Sequence, residues 1–151
     1  MRVIELGERD VAEAAAIKKE AFNRPFDIPP LPEESVRRAL RRGTRRALGI
    51  RENGRLLSVL YVTRRNARAW FIPSLATRPE ARRRGLADTL LKRAIALARE
   101  NNATSLSAVV SPQNKASLAL LEKNGFAKKR FLPKYFGPGK DRYLMRLGLR
   151  R

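Results

Sequence analysis

Cysteine and histidine are both absent from this 151-residue sequence. Their absence excludes disulfides, conventional zinc or transition-metal sites, and any nucleophile that is activated by a histidine base. Any catalysis must therefore use carboxylates, hydroxyls, phenols, amines, backbone dipoles or a bound cofactor. We expect no metal.

Long apolar runs are also missing. No stretch approaches the roughly 18 residues that a membrane span needs, and the start of the chain lacks the apolar core of a signal peptide. Hydrophobic residues nevertheless make up 43% of the chain and recur in periodic blocks, which argues against disorder. We expect one cytoplasmic domain spanning residues 1–151, with no membrane contact.

Negative charge is scarce as well. The chain has 34 Lys and Arg against 14 Asp and Glu, a formal net charge of +20. Such a surplus favours polyanionic partners such as a ribosome, nucleic acid, an acidic protein or a phosphorylated cofactor. A basic surface without any partner is an equal alternative, because composition alone says little about binding.

The spacing of apolar and turn residues predicts a mixed α/β fold in the order β-α-α-β-β-β-α-β-α-β-β. A capping box from Asp10 to Glu13 opens the first helix, and Glu52-Asn53-Gly54 signals a hairpin. Strands are predicted at 2–6, 46–51, 55–63, 70–77, 106–110, 126–132 and 142–149. Helices are predicted at 10–22, 31–42, 86–100 and 111–124, and residues 23–32 form a proline-rich loop.

The segment between the third strand of the central block and the helix after it carries a candidate anion site. Three arginines and one glycine precede this helix, in the run Arg82-Arg83-Arg84-Gly85-Leu86-Ala87. Free N–H groups and the positive dipole end at a helix start attract phosphate, and glycine allows its close approach. Taken alone, the pattern favours a basic turn whose glycine merely relieves strain.

Two motifs resemble those of GNAT acetyltransferases. Arg82-x-x-Gly85-x-Ala87 is similar to the pyrophosphate loop of that family, Arg/Gln-x-x-Gly-x-Gly/Ala. About 30 residues further on, the run from Asn114 to Phe126 is similar to its second motif, Asn-x-x-Ala/Ser-x-x-Leu-(Tyr)-Glu-Lys-x-Gly-Phe. The resemblance covers residues 70–150 by sequence and residues 1–65 by element order.

The resemblance implies a V-shaped opening between the strand ending at Thr77 and the strand ending at Val110, where acetyl-CoA binds. Backbone groups of Leu75, Ala76 and Thr77 would hold its acetyl and pantetheine portions. The loop Arg82, Arg83, Arg84, Gly85, Leu86 and Ala87 would hold the pyrophosphate, and Asn114 the pantetheine arm. Acetyl would pass directly from thioester to amine in a ternary complex.

The sequence is most similar to protein N-terminal acetyltransferases, including the ribosomal-protein type, and departs from them at two positions. Leu121 stands where many members carry a tyrosine acid, and Val109 where the ribosomal-protein type carries a catalytic glutamate. Tyr135 is the first candidate for the missing acid, because its segment is similar to the tyrosine-rich one that borders their peptide site. Ser117 is the second candidate, although a plain helix-surface serine is an equal alternative.

We therefore predict an acetyl-CoA-dependent N-acetyltransferase acting on a protein or peptide amine, most simply an N-terminal α-amine. A small-molecule amine acetyltransferase is one alternative. A non-catalytic basic module that binds CoA or RNA on the same scaffold is the other. Contact with a ribosome or with nucleic acid would suit the net positive charge of the chain.

Overall fold

A seven-stranded sheet organises residues 2–149, which are those that the computed structural model describes. The elements are β1 (Ile4–Leu6), α1 (Val11–Ala21), α2 (Glu33–Arg42), β2 (Arg45–Glu52), β3 (Arg55–Arg64), β4 (Ala69–Thr77), α3 (Leu86–Glu100), β5 (Ser105–Val110), α4 (Lys115–Lys123), β6 (Ala127–Leu132) and β7 (Arg142–Gly148). This order confirms the predicted mixed α/β fold. Within these residues no helix is long and apolar enough to cross a bilayer.

The strands lie in the order β1-β2-β3-β4-β5-β7-β6, and all neighbours are antiparallel except β4 and β5. The parallel pairing of β4 with β5 ends at the pair Ile72 and Ala108. Pro73 follows and has no N–H to donate, and β4 carries an extra residue here against β3. Beyond this point the β5-facing edge of β4 has no strand partner, which is the opening expected from the sequence.

Helices cover the two faces of the sheet unequally. The apolar stripe of α3, including Leu90, Leu91 and Ala98, is fully buried against the strands, and Leu118 and Leu121 of α4 join the same core. On the opposite face α1 packs against β3 and β4, and α2 packs against β2. Burying a leucine contributes about 2 kcal/mol, so the packing of helices on both faces stabilises the sheet.

The capping box predicted for α1 is wrong. Asp10 has helical backbone angles, because a 3-10 turn from Glu8 to Asp10 precedes the helix, and its side chain does not cap α1. Its carboxylate accepts hydrogen bonds from the Gly7 N–H at 2.8 Å and from Arg51 at 2.7 Å. Glu13 accepts from Arg51 at 2.8 Å and from the Leu56 N–H at 2.9 Å. Both acids tie α1 to the β2–β3 hairpin.

The start of α4 also differs from its prediction. The helix begins at Lys115 rather than at 111, because Asn114 is its N-cap and accepts from the Ser117 N–H at 3.2 Å. The predicted ends of the other helices and strands agree with the structure within two residues. The hairpin is confirmed, with positive φ at Asn53 and Gly54.

Candidate active site

The loop before α3 has the geometry of an anion site. Arg83 and Gly85 both take left-handed backbone angles, with φ of 64° and 78°, and turn the chain sharply into the helix. The helical ladder starts with the Thr89 N–H donating to the Gly85 carbonyl. The N–H groups just before Thr89 therefore have no acceptor within the helix, and the helix dipole adds positive potential there.

A groove of about 450 Å³ runs from this loop to the separated strands. Its lining includes most of the residues expected to bind the cofactor: Leu75, Ala76, Thr77, Arg82, Arg83, Gly85, Leu86, Ala87 and Asn114. Arg84 lies outside the lining, and its exposed guanidinium forms an ion pair with Glu52 on the β2–β3 hairpin. The groove is thus lined by backbone, small side chains and the guanidiniums of Arg82 and Arg83, which form no ion pair among residues 2–149. Such a lining suits a phosphorylated ligand.

Asn114 and Ser117 lie where the groove reaches α4. The Asn114 Oδ1 is committed to capping α4, which fixes the side chain and leaves its amide N–H₂ for a ligand. The Ser117 hydroxyl has no hydrogen-bond partner among residues 2–149. Both side chains also line a second cavity.

The second cavity, of about 340 Å³, adjoins the groove at the separated strands. It is largely apolar, and its walls come mainly from the loop after α1, β4, β5, α4 and the segment between β6 and β7, with Arg65, Leu91 and Arg142 added from other elements. The residues that it shares with the groove are Phe22, Leu75, Asn114, Ser117 and Leu120. We call this set the junction. Tyr135 lines only the second cavity and is 46% exposed.

The second cavity offers no free carboxylate. Asp27 is the one acid in its lining, and its oxygens accept from the Arg24 N–H, Nε and Nη2 at 3.0, 2.8 and 3.1 Å. Val109 and Leu121, which stand where the resembling enzymes carry a base and an acid, both line this cavity. An amine that enters must therefore arrive neutral or lose its proton to water.

Two cations hold the loop after α1 over the second cavity. Lys140 Nζ donates to the carbonyls of Pro25 and Asp27 at 2.9 and 2.6 Å. Arg142 Nη2 donates to the Phe26 carbonyl at 2.7 Å, and burial lowers the pKa of Arg142. These contacts join two segments more than 100 residues apart and close one side of the cavity.

Several cavity residues escaped the sequence reasoning. Ser74 Oγ lines the second cavity, is buried, and has no hydrogen-bond partner among the described residues. A buried hydroxyl without a partner is costly unless a ligand supplies one. The loop residues Phe26, Ile28 and Leu31 also line the cavity. The sequence signal that could have indicated them is the presence of large apolar side chains in a proline-rich loop.

One unusual charge lies in the lining of neither cavity. Lys18 of α1 is 4% exposed, and its Nζ lies 3.5 Å from the centroid of the Tyr61 ring. Burial, with a smaller contribution from Arg45, lowers the pKa of Lys18 to about 7. Burial also raises the pKa of Tyr61 to about 12. This pair affects stability rather than the walls of either cavity.

The chain belongs to the Acetyltransferase (GNAT) family, which it matches over residues 12–126. Acetyl-CoA is the cosubstrate of this family of acetyltransferases, and the basic groove with its open strand edge fits that ligand. Within the described residues no cluster of acidic side chains could hold a metal ion.

Similar proteins carry related names. An N-alpha-acetyltransferase from Saccharolobus solfataricus is 36% identical over 75 residues, which are 49% of this chain and 45% of that protein. The match thus spans less than half the length of this relative.

Two solved structures share the fold over 99% of this chain. The ribosomal-protein-S18-alanine N-acetyltransferase from Escherichia coli has a TM-score of 0.86, 20% identity and 94% coverage of its own chain.

The second, Ard1 from Thermoplasma volcanium, has a TM-score of 0.85, 17% identity and 98% coverage of its own chain. A third, yncA from Salmonella typhimurium with its cofactor acetyl-CoA, covers 100% of this chain and 95% of its own, with a TM-score of 0.83 and 21% identity. At these identities the likeness shows the fold.

Proposed function

We propose that this protein, as one domain, transfers acetyl from acetyl-CoA to the N-terminal α-amine of a protein or peptide. One observation carries the proposal: a basic groove and a separate apolar cavity meet at a junction. Two ligands, one in the groove and one in the cavity, would have their ends brought together there, as direct transfer in a ternary complex requires. The names of the Saccharolobus and Escherichia relatives agree with a protein N-terminus as acceptor.

The groove residues would hold the cofactor. The open edge of β4 at Leu75, Ala76 and Thr77 supports binding of the pantetheine arm through backbone groups, together with the amide of Asn114. Arg82, Arg83 and the free N–H groups at the start of α3 support pyrophosphate binding. Bound acetyl-CoA supplies an activated acyl group as a thioester. Arg84 is proposed to steady the loop through Glu52 instead of touching phosphate.

We call the second cavity the acceptor cavity, since we propose that it binds the acceptor amine. Its lining contains no free carboxylate, which favours an α-amine as the acceptor. An α-amine has a pKa of about 8 and is partly neutral at pH 7, whereas a lysine amine at about 10.4 costs roughly 3 kcal/mol more to deprotonate. Val109 and Leu121 offer no group to remove that proton. The acceptor that needs least help is therefore the protein N-terminus.

Ser117 is the better placed of the two candidate proton donors. Its hydroxyl lies at the junction and has no protein partner among residues 2–149, whereas Tyr135 lines the acceptor cavity alone. We propose that Ser117 Oγ holds a proton at the junction and that Tyr135 contacts the acceptor. This reverses the order of preference that the sequence suggested.

Two matched peptides test the function. One has a free N-terminus with its lysine already acetylated, and the other has a blocked N-terminus and a free lysine. We expect acetyl-CoA-dependent addition of one acetyl group to the first, detected by mass spectrometry, and little addition to the second. Acetylation of only the lysine peptide, or of neither while small amines react, would contradict the proposal.

A further inference from the structure

Part of the sheet on the α1–α2 side has no helix over it. Helix α2 packs against β2 and α1 against β3 and β4, and burial on this face falls off beyond β4. On that face Ser105, Ser107 and Val109 of β5 and Leu144 of β7 are only half-buried. This half-buried strip of serine and aliphatic side chains is open to a ligand.

A row of side chains crosses this face at one level of the sheet. Strand register places the following residues side by side on β2, β3, β4, β5 and β7: Arg45, Thr63, Phe71, Ser107 and Arg146. Arg65 lies over the Phe71 ring, with its Cζ 4.0 Å from the centroid. We call Arg65 and Arg146 the basic row; Arg45 lies on β2, which α2 covers, and is not part of it.

The basic row has no acidic partner. Arg146 Nε donates to Ser107 Oγ at 3.4 Å, so a neutral hydroxyl orients its guanidinium. Among residues 2–149 no carboxylate forms an ion pair with Arg65 or Arg146. By contrast, Arg46 pairs with Glu5 at 2.8 Å. The basic row therefore presents unbalanced positive charge.

The row continues directly from the acceptor cavity. Arg65 and Phe71 line that cavity, and strands lie about 4.8 Å apart, so Arg146 is about 10 Å beyond Phe71. An extended peptide advances about 3.3 Å per residue. A chain whose first residue occupies the cavity would therefore reach Arg146 with its fourth residue. The contacts of Lys140 and Arg142 with the loop after α1 lie further along the same side of the sheet, at the start of β7.

We propose that the basic row binds acidic side chains at positions 2 to 4 of the acceptor peptide. The inference rests on the proposed function and names its preferred substrates: proteins whose N-terminal residue precedes aspartate or glutamate. Guanidiniums recognise carboxylates with paired N–H donors. Nucleic acid fits this row less well, because Arg65 covers the Phe71 ring and removes it as a stacking surface for bases.

Peptides that share a first residue and carry Glu, Gln or Lys at positions 2 to 4 test the preference. An exposed ion pair is worth up to about a fivefold factor in affinity. We expect kcat/KM about tenfold higher for the Glu than for the Gln peptide at 50 mM salt, and least for Lys. The advantage should shrink at 300 mM salt, because salt screens exposed charges.

Substitutions in the basic row test whether it causes the preference for the Glu peptide. Arg65→Gln combined with Arg146→Gln should reduce the Glu-over-Gln ratio to about twofold or less. The matched control is Arg99→Gln, an exposed, unpaired arginine on α3, which should leave the ratio unchanged. Fluorescence anisotropy with the same labelled peptides measures binding without turnover.

The outcomes separate the two proposals. If no peptide is acetylated although the Glu peptide binds best, the transfer function fails and the charge preference of the row stands. Equal binding and equal kcat/KM across the three peptides would overturn the inference while leaving the function intact. Single-stranded RNA that binds more tightly than the Glu peptide, and loses affinity in the double variant, would also overturn it.

Discussion

The groove and the acceptor cavity meet at the junction but are built in different ways. The groove comes mainly from two short runs, 75–88 and 114–120, and meets its ligand with backbone groups, small side chains and arginines. The cavity takes walls from many separate parts of the chain, mostly as apolar side chains. Local sequence therefore specifies the groove, whereas tertiary packing specifies the cavity. Substitutions should affect one ligand and spare the other.

The largest effect should come from Gly85→Glu in the groove. A carboxylate beside a pyrophosphate costs about 4 kcal/mol at close range, so CoA affinity should fall about a thousandfold by calorimetry. Gly54→Glu is the matched control, because Gly54 has a similar φ of 79° and equally open surroundings. A folded Gly85→Glu protein with normal CoA affinity would break the assignment of the groove.

The next effect concerns the junction. Ser117→Ala should lower kcat about 100-fold, in line with the loss of a general acid, while CoA affinity survives. Tyr135→Phe should mainly raise KM for the peptide. If both variants keep a normal kcat, solvent supplies the proton and the role proposed for Ser117 is wrong.

A smaller effect should follow from loosening the acceptor cavity alone. Lys140→Met removes the two hydrogen bonds to the loop after α1 and should raise the peptide KM at least about tenfold, because the loss of even one charged hydrogen bond costs about 1.5 kcal/mol. CoA affinity should not change. Lys134→Met, an exposed lysine in the same segment, is the control. Equal KM values for the two variants would show that the loop does not shape the acceptor site.

The smallest effect on either ligand should come from Lys18. The pKa of Lys18 is about 7 in the folded protein and 10.5 ordinarily, so the unfolded chain binds more protons between these values. Stability should therefore rise from pH 7 to pH 10, with a slope of up to about 1.4 kcal/mol per pH unit. Urea unfolding of Lys18→Met should show a flatter profile. An unchanged profile, or altered affinity for either ligand, would contradict this account.

The same contrast explains what the sequence could predict. Helical periodicity and the hairpin signal located the elements, and the motif from Arg82 to Ala87 located the groove because its function depends on neighbouring residues. The ion pair between Arg84 and Glu52 joins residues that are 32 positions apart in the sequence. The local motif therefore did not predict that Arg84 lies outside the groove. The capping box failed for a similar reason, since Arg51 binds both acids from a distant strand. The basic row depends on the register of β4, β5 and β7, which no local pattern contains.

The most direct test of the central claim is the affinity of a bisubstrate ligand, in which an acetyl bridge joins CoA to the α-amine of a peptide. If the groove and the cavity meet at the junction, one molecule fills both, and linkage replaces a second binding event. Calorimetry should then give a dissociation constant at least about 100-fold below that of CoA. A bisubstrate ligand that binds no more tightly than CoA would contradict a shared junction.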